Sequence, residues 1–298
     1  MKTITEFLTE NKIKYLENEP MKLHTSFRIG GSARCFVPAD TISQVQKIID
    51  FCNRNGENLV YIGNGSNLLV SDEGIDAVVM KLCGEFEEIR LLDETTIEAG
   101  AGVNLAALCK FALSHSLTGL EFAFGIPGSV GGAAYMNAGA YGGEMKDVVE
   151  KCFHVTPDGE PGCLTVDELD FGYRKSAYAS NGCLITKVVF RLAKGEKSAI
   201  KEKMDDLLNR RVTKQPLEYP SAGSVFRRPE GYFAGALIEQ SGLKGKTIGA
   251  AQVSEKHAGF IINIGDASCR DVKELIRFCQ KTVREKFGVS LETEIKMI

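Results

Sequence analysis

Arg174, Ser224 and Glu294 are of types that could do chemistry, each standing in or beside a turn or strand signal. Arg174 lies in Phe171-Gly172-Tyr173-Arg174-Lys175-Ser176. A guanidinium is a rigid fork of N–H donors that matches a carboxylate or phosphate, so Arg174 is a candidate anion clamp, although a lone arginine is more often solvated surface. Ser224 follows Gly223 in Pro220-Ser221-Ala222-Gly223-Ser224-Val225-Phe226-Arg227-Arg228-Pro229, after Lys214-Gln215-Pro216; a turn there would expose its hydroxyl between cationic neighbours, or form only a basic loop. Alternation in Leu291-Glu292-Thr293-Glu294-Ile295 predicts a strand with Leu291, Thr293 and Ile295 on one face. Glu292 and Glu294 then share the other, where an acid could line a cleft, although exposed strand carboxylates are the usual case. No Gly-x-Ser-x-Gly elbow is present, and His24, His115, His154 and His257 lack triad-like spacing, so hydrolysis is not expected.

Two glycine-dense segments could hold a phosphorylated ligand. In Tyr61-Ile62-Gly63-Asn64-Gly65-Ser66-Asn67-Leu68, glycines let backbone N–H groups turn toward an anion, and Asn and Ser add side-chain donors. A plain strand-to-loop turn suits that segment equally well. It is not the Gly-x-Gly-x-x-Gly fingerprint, and Gly100-Ala101-Gly102 also fails that test and reads as a turn. Gly125-Ile126-Pro127-Gly128-Ser129-Val130-Gly131-Gly132, followed by Asn137-Ala138-Gly139-Ala140-Tyr141-Gly142-Gly143, is harder to justify as a connector, because glycine costs conformational entropy on folding. A cofactor laid along this backbone explains it better than a tight domain crossing.

Positioning these residues requires an α+β scaffold. Ile42, Val45, Ile48, Ile49 and Cys52 recur at helical spacing before Asn55-Gly56, and Leu59 to Ile62 is a strand. Further strands are predicted at 77–82 and 96–100, a helix at 105–115, and a loop from Gly119 to Gly143. Beyond these come a strand at 184–192 and a charged amphipathic helix from Gly195 to about Arg211. Small elements around 233–240 and 260–264 precede a long helix at 270–287. A boundary is placed near Gly195. A net charge of −3 offers no global field for a nucleic acid or an anionic membrane, and no apolar run is long enough for a bilayer span. The nine cysteines are odd in number and dispersed without a Cys-x-x-Cys pair, which argues against disulfides and zinc; a cytoplasmic, metal-free protein is expected.

Taken in order, TSFRIGG (Thr25 to Gly31), YIGNGSNLLV, GIPGSVGGAAYMNAGAYG, FGYRKS, GSVFRRPEG and LETEI resemble the UDP-N-acetylenolpyruvoylglucosamine reductases, the MurB family, and cover nearly the whole chain. The resemblance implies an FAD-binding module of the vanillyl-alcohol oxidase (PCMH) type in two subdomains, 1–84 and 85–195, plus a C-terminal α+β substrate domain, 196–298. FAD would be held noncovalently, with NADPH as hydride donor and UDP-N-acetylglucosamine enolpyruvate as the substrate reduced in peptidoglycan precursor synthesis. Cofactor contacts would come from Tyr61, Gly63, Asn64, Gly65, Ser66, Asn67 and Leu68, from Gly125, Pro127, Gly128, Ser129, Gly131 and Gly132, and from Asn137, Gly139 and Ala140. By the same resemblance Arg174 and Glu294 would hold the substrate carboxylate, where negative charge develops, and Ser224 would deliver the proton. Lys214 and Arg228 are carried as substrate contacts. The short interval between Arg174 and Ser224 resembles the branch of the family without an inserted tyrosine loop. Two other readings of the fold are an FAD-dependent alcohol or lactone oxidase and a flavin- or nucleotide-binding regulatory protein that kept the fold and lost the chemistry.

Overall fold

The Ile42–Asn55 helix shows how directly local sequence sets local structure. Thr41 accepts the Gln44 N–H at its start, Gly56 at φ 67° ends it, and Val45, Ile48, Ile49, Phe51 and Cys52 are buried along one stripe. The computed structural model describes residues 2–298 and divides into two units, both built from separated stretches of chain.

The first unit comprises residues up to Glu17, Cys35–Asn64 and Ala77–Arg210. Its largest sheet is antiparallel in the order Pro161–Thr165, Val149–Val155, Leu184–Arg191, Thr96–Gly100, Ile89–Leu91. Ser32–Ala39, Ile75–Leu82 and Leu59–Ile62 are neighbours in another sheet, the last two parallel. One apolar cluster includes Ile48, Ile49, Met80, Ile97, Leu105, Leu108 and Phe190, each worth about 1.5–3 kcal/mol of burial. The predicted loop from Gly119 to Gly143 differs from expectation: it contains a helix, Val130–Tyr135, and a hairpin pairing Gly139–Ala140 with Gly143–Glu144. That helix is made of small residues because it packs very close. A Cβ on Gly131 would lie 2.7 Å from the Ala101 Cβ.

The second unit comprises Asn18–Arg34, Gly65–Asp76 and Arg211–Ile298. Its antiparallel sheet runs Ser221–Ser224, Phe260–Asn263, Ala251–Val253, Thr247–Ile248. The Cys269–Phe287 helix begins with a Ser268/Asp271 capping box and ends at Gly288, φ 70°; it buries Val272, Leu275, Ile276, Cys279 and Val283. Asp72, from a distant stretch, accepts the Cys269 and Arg270 N–H groups at 2.7 and 3.0 Å. The strand expected at Leu291–Ile295 is absent as a regular element. A single bridge joins Thr293 to Phe226, and the regular pairing is parallel, Lys296–Met297 against Leu68–Leu69. Leu291 and Ile295 are nevertheless buried while Glu292 is exposed, so the predicted alternation of faces holds for them. Among the described residues no helix is long and apolar enough to cross a membrane.

Candidate active site

In the first unit the two glycine segments approach each other at Gly63 and Ser129. A Cβ on Gly63 would come within 2.5 Å of the Ser129 Oγ, so glycine is the residue that fits beside that hydroxyl. Ser129, 2% exposed, caps the Val130–Tyr135 helix by accepting the Gly132 N–H at 3.3 Å. The turn at Gly100-Ala101-Gly102, set aside on sequence grounds, proves to position this segment. Val130 N–H donates to Val103 O (2.8 Å), Gly131 N–H to Ala101 O (2.9 Å), and Leu105 N–H to Gly128 O (3.0 Å). The Tyr61 ring leads into the first segment, and burial pushes its phenol up to about 12. Gly125 has φ 89°, Pro127 and Gly132 are exposed, and Gly139 and Ala140 form one arm of the hairpin.

The hairpin and the Arg174 turn are tied together. Asn137, expected beside a flavin, is fully buried. Its Nδ2 donates to Glu144 Oε2 (2.8 Å) and Gly172 O (3.0 Å), while its Oδ1 accepts from Lys146 N–H (2.9 Å). Arg174 donates from Nη2 to Gly139 O at 3.0 Å, and its guanidinium lies 5.2 Å from the exposed Tyr173 ring.

In the second unit the remaining half of the first glycine segment folds on the Thr25 region. Gly65 has φ 62°, and a Cβ there would lie 2.1 Å from His24 O. Asn67 Nδ2 donates to Glu294 O at 3.3 Å. Ser224 and Glu294 are brought to neighbouring segments: Glu294 N–H donates to Val225 O (2.7 Å) and Arg227 N–H to Glu292 O (2.9 Å). Fully buried Val225, with Phe226 at 4% exposure, anchors this pairing; Ser224 and Glu294 themselves are half-buried. Ser26, missed on sequence grounds, fixes the start of the Ser221–Ser224 strand by donating its hydroxyl to Ser221 O at 2.7 Å.

The family model described as UDP-N-acetylenolpyruvoylglucosamine reductase, C-terminal domain, matches residues 215–298, and that described as FAD binding domain matches residues 33–161. A curated UDP-N-acetylenolpyruvoylglucosamine reductase of Alkaliphilus oremlandii is 48% identical, covering 100% of this chain and 97% of its own length. The chain belongs to the UDP-N-acetylenolpyruvoylglucosamine reductase family. A second member, from Listeria monocytogenes, is 50% identical over 94% of each chain. The crystal structure of the Thermus caldophilus reductase superposes with a TM-score of 0.82 at 36% identity, covering 96% of this chain and 98% of that one.

The fold is thus α+β with an FAD-binding module, as the motifs imply, and its glycine segments fit that cofactor chemically. Gly63 and Gly131 leave no room for a side chain, and Ser66, Asn64 and Asn67 offer short polar groups on a glycine turn, the donor set a pyrophosphate needs. Of the two residues carried as substrate contacts for a reductase, Lys214 is exposed at the end of the Lys197–Lys214 helix, and Arg228 is exposed with its guanidinium 4.0 Å from the Phe233 ring centroid.

Proposed function

We propose that this chain catalyses the NADPH-dependent reduction of UDP-N-acetylglucosamine enolpyruvate to UDP-N-acetylmuramate, in peptidoglycan precursor synthesis in the cytoplasm. The observation that carries the reading is the similarity to a reductase of that name along the entire chain. FAD, held noncovalently by the Tyr61–Leu68 and Gly125–Gly132 segments and near Asn137, Gly139 and Ala140, supplies two-electron transfer between NADPH and the alkene. Arg174 binds the substrate carboxylate through its guanidinium fork. Glu294, in its acid form, donates a hydrogen bond to the same group, so charge that develops beside the carboxylate meets donors already in place. Ser224 delivers the proton from Oγ to the carbon next to the carboxylate; a hydroxyl is acid enough because the carbanion it meets is strongly basic. The pairing of Val225–Arg227 with Glu292–Glu294 supports a joint role for Ser224 and Glu294. Lys214 and Arg228 meet the substrate's phosphates or sugar. The division into 1–84, 85–195 and 196–298 is part of this proposal; the three larger sheets, with strands within 16–82, 89–191 and 221–263, support it.

The test is anaerobic. The purified protein is reduced with NADPH, the enolpyruvyl substrate is added, and the flavin's visible absorption is followed. Prompt return of the oxidised spectrum without oxygen is expected. A flavin that stays reduced until air is admitted refutes the reductase reading.

A further inference from the structure

Arg174 occupies a turn that its own backbone does not favour. Gly172 to Lys175 is closed by Gly172 N–H to Lys175 O (3.0 Å) and Lys175 N–H to Gly172 O (3.2 Å). Arg174, third in the turn, sits at φ 53°, in the left-handed region that an L-residue with a long side chain rarely adopts. Such a conformation persists only where the surroundings over-determine it.

Two buried side chains supply that determination, one on each side of the arginine. Ser176 is fully buried, and its hydroxyl donates to Tyr135 O at 2.7 Å. Tyr135 ends the helix whose first cap is Ser129, so this bond also satisfies a carbonyl at the helix's open end. Asn137, equally buried and itself at φ 42°, donates to Gly172 O while its remaining contacts hold Glu144 and Lys146 N–H. The turn is therefore pinned at Gly172 and at Ser176, two residues before and two after Arg174. Between the pins the guanidinium reaches Gly139 O. A pair of pins placed symmetrically about one left-handed residue fixes where that residue's side chain starts and points.

We infer that Ser176 and Asn137 are positioning residues for Arg174, holding its guanidinium in register for the substrate carboxylate. This rests on the role given to Arg174 above. Removing the Ser176 hydroxyl leaves Tyr135 O without its donor and frees one end of the turn. A shift of about 1 Å in a group that must meet a carboxylate costs up to ~100-fold in rate. The loss falls on the half-reaction that uses the carboxylate and spares the one that consumes NADPH.

The experiment compares Ser176→Ala, Ser176→Cys and Arg174→Lys singly, and Arg174→Lys with Ser176→Ala together. The two half-reactions are followed separately by flavin absorption, and hydrogen exchange of residues 171–177 is measured on the flavin-free protein. Ser176→Ala should slow reoxidation by substrate about 10- to 100-fold and change NADPH-driven bleaching by less than about twofold. Ser176→Cys, which keeps a weak donor, should fall between it and the parent, and remains informative where the alanine variant folds poorly. The double variant should be no slower than Arg174→Lys alone, because Ser176 acts through that arginine. Amides of Gly172 and Lys175 should exchange faster in Ser176→Ala. Equal loss in both half-reactions, no loss in either, or rate losses that multiply in the double variant overturns the inference. Arg174→Lys leaving reoxidation untouched instead refutes the role of Arg174, whatever Ser176 does.

Discussion

Replacing Gly63 with alanine should destabilise the protein in its natural background and stabilise it when Ser129 is also alanine. Gly63 has no left-handed φ, so alanine is conformationally acceptable there, and Gly→Ala at such a site typically gains about 0.4–1 kcal/mol through the unfolded chain. Against this stands the Ser129 Oγ, 2.5 Å from where the new Cβ would lie. The hydroxyl must rotate away. It then gives up its contact with Gly132 N–H, which at 3.3 Å is a weak cap worth about 0.5–1 kcal/mol, and takes a strained rotamer at about 0.5–1.5 kcal/mol. The net for Gly63→Ala is a loss of roughly 0–2 kcal/mol, about 1 at the middle of the range. Ser129→Ala removes the hydroxyl and leaves the Ser129 Cβ, 3.7 Å from the added methyl, in ordinary contact. In that background Gly63→Ala should therefore gain about 0.5 kcal/mol. Urea unfolding of the four proteins in flavin-free form, followed by circular dichroism, measures the cycle without interference from cofactor binding. An equal effect of Gly63→Ala in both backgrounds would refute the close approach of these two segments as the reason for glycine at 63.

Gly65→Ala should be far more costly, about 2–5 kcal/mol, since its Cβ would meet the backbone His24 O at 2.1 Å and φ is 62°; near-parental urea stability would contradict it. Asp72→Ala should lower stability by about 1 kcal/mol by stripping the acceptor from Cys269 and Arg270 N–H, with Asp72→Asn milder; equal effects of the two would argue against the carboxylate's charge mattering. Burial holds the His154 imidazole below its ordinary value, and the same holds for His257. The unfolded chain thus binds these protons first: stability is complete above about pH 6.5 and is lost as pH falls through the folded values. The thermal midpoint should drop between pH 7.5 and 5.5, with a shallower slope in His154→Gln; an unchanged slope would exclude His154 as a contributor.

Where local signals and tertiary structure agree, the sequence was legible. The Ile42–Asn55 and Cys269–Phe287 helices carry apolar residues at helical spacing, a capping residue ahead and glycine behind, and both form where expected. Val130–Tyr135 has only the capping residue, Ser129, and neither the apolar spacing nor a closing glycine. Val-Gly-Gly-Ala-Ala-Tyr has two adjacent glycines, each unfavourable in a helix, and no apolar period; its smallness lets it lie against Ala101. The acidic end Leu291–Ile295 looked like a strand by alternation, yet regular pairing starts only at Lys296, with one bridge at Thr293. Of the three residues proposed for chemistry, Arg174 and Ser224 stand in turn signals and Glu294 in an alternating run, and their roles came from the family resemblance. Their supports were not legible: Ser176, Asn137 and Ser26 act on carbonyls 41, 35 and 195 positions away, and no periodicity encodes such pairings.

The pairing of Leu68–Leu69 with Lys296–Met297 bears on the order of events during synthesis. The Gly65–Leu68 turn is stabilised by Asn67 reaching Glu294 O, by Lys296 N–H reaching Asn67 O, and by a strand that leaves the ribosome some 228 positions later. Loop closure over that span is entropically expensive and slow. Until residues 294–298 have emerged, Leu68–Leu69 presents an unmatched edge, an invitation to wrong partners. A nascent chain stalled before that point would already hold every residue of the first unit, while the Gly65–Leu68 turn still waits on residues 294–298.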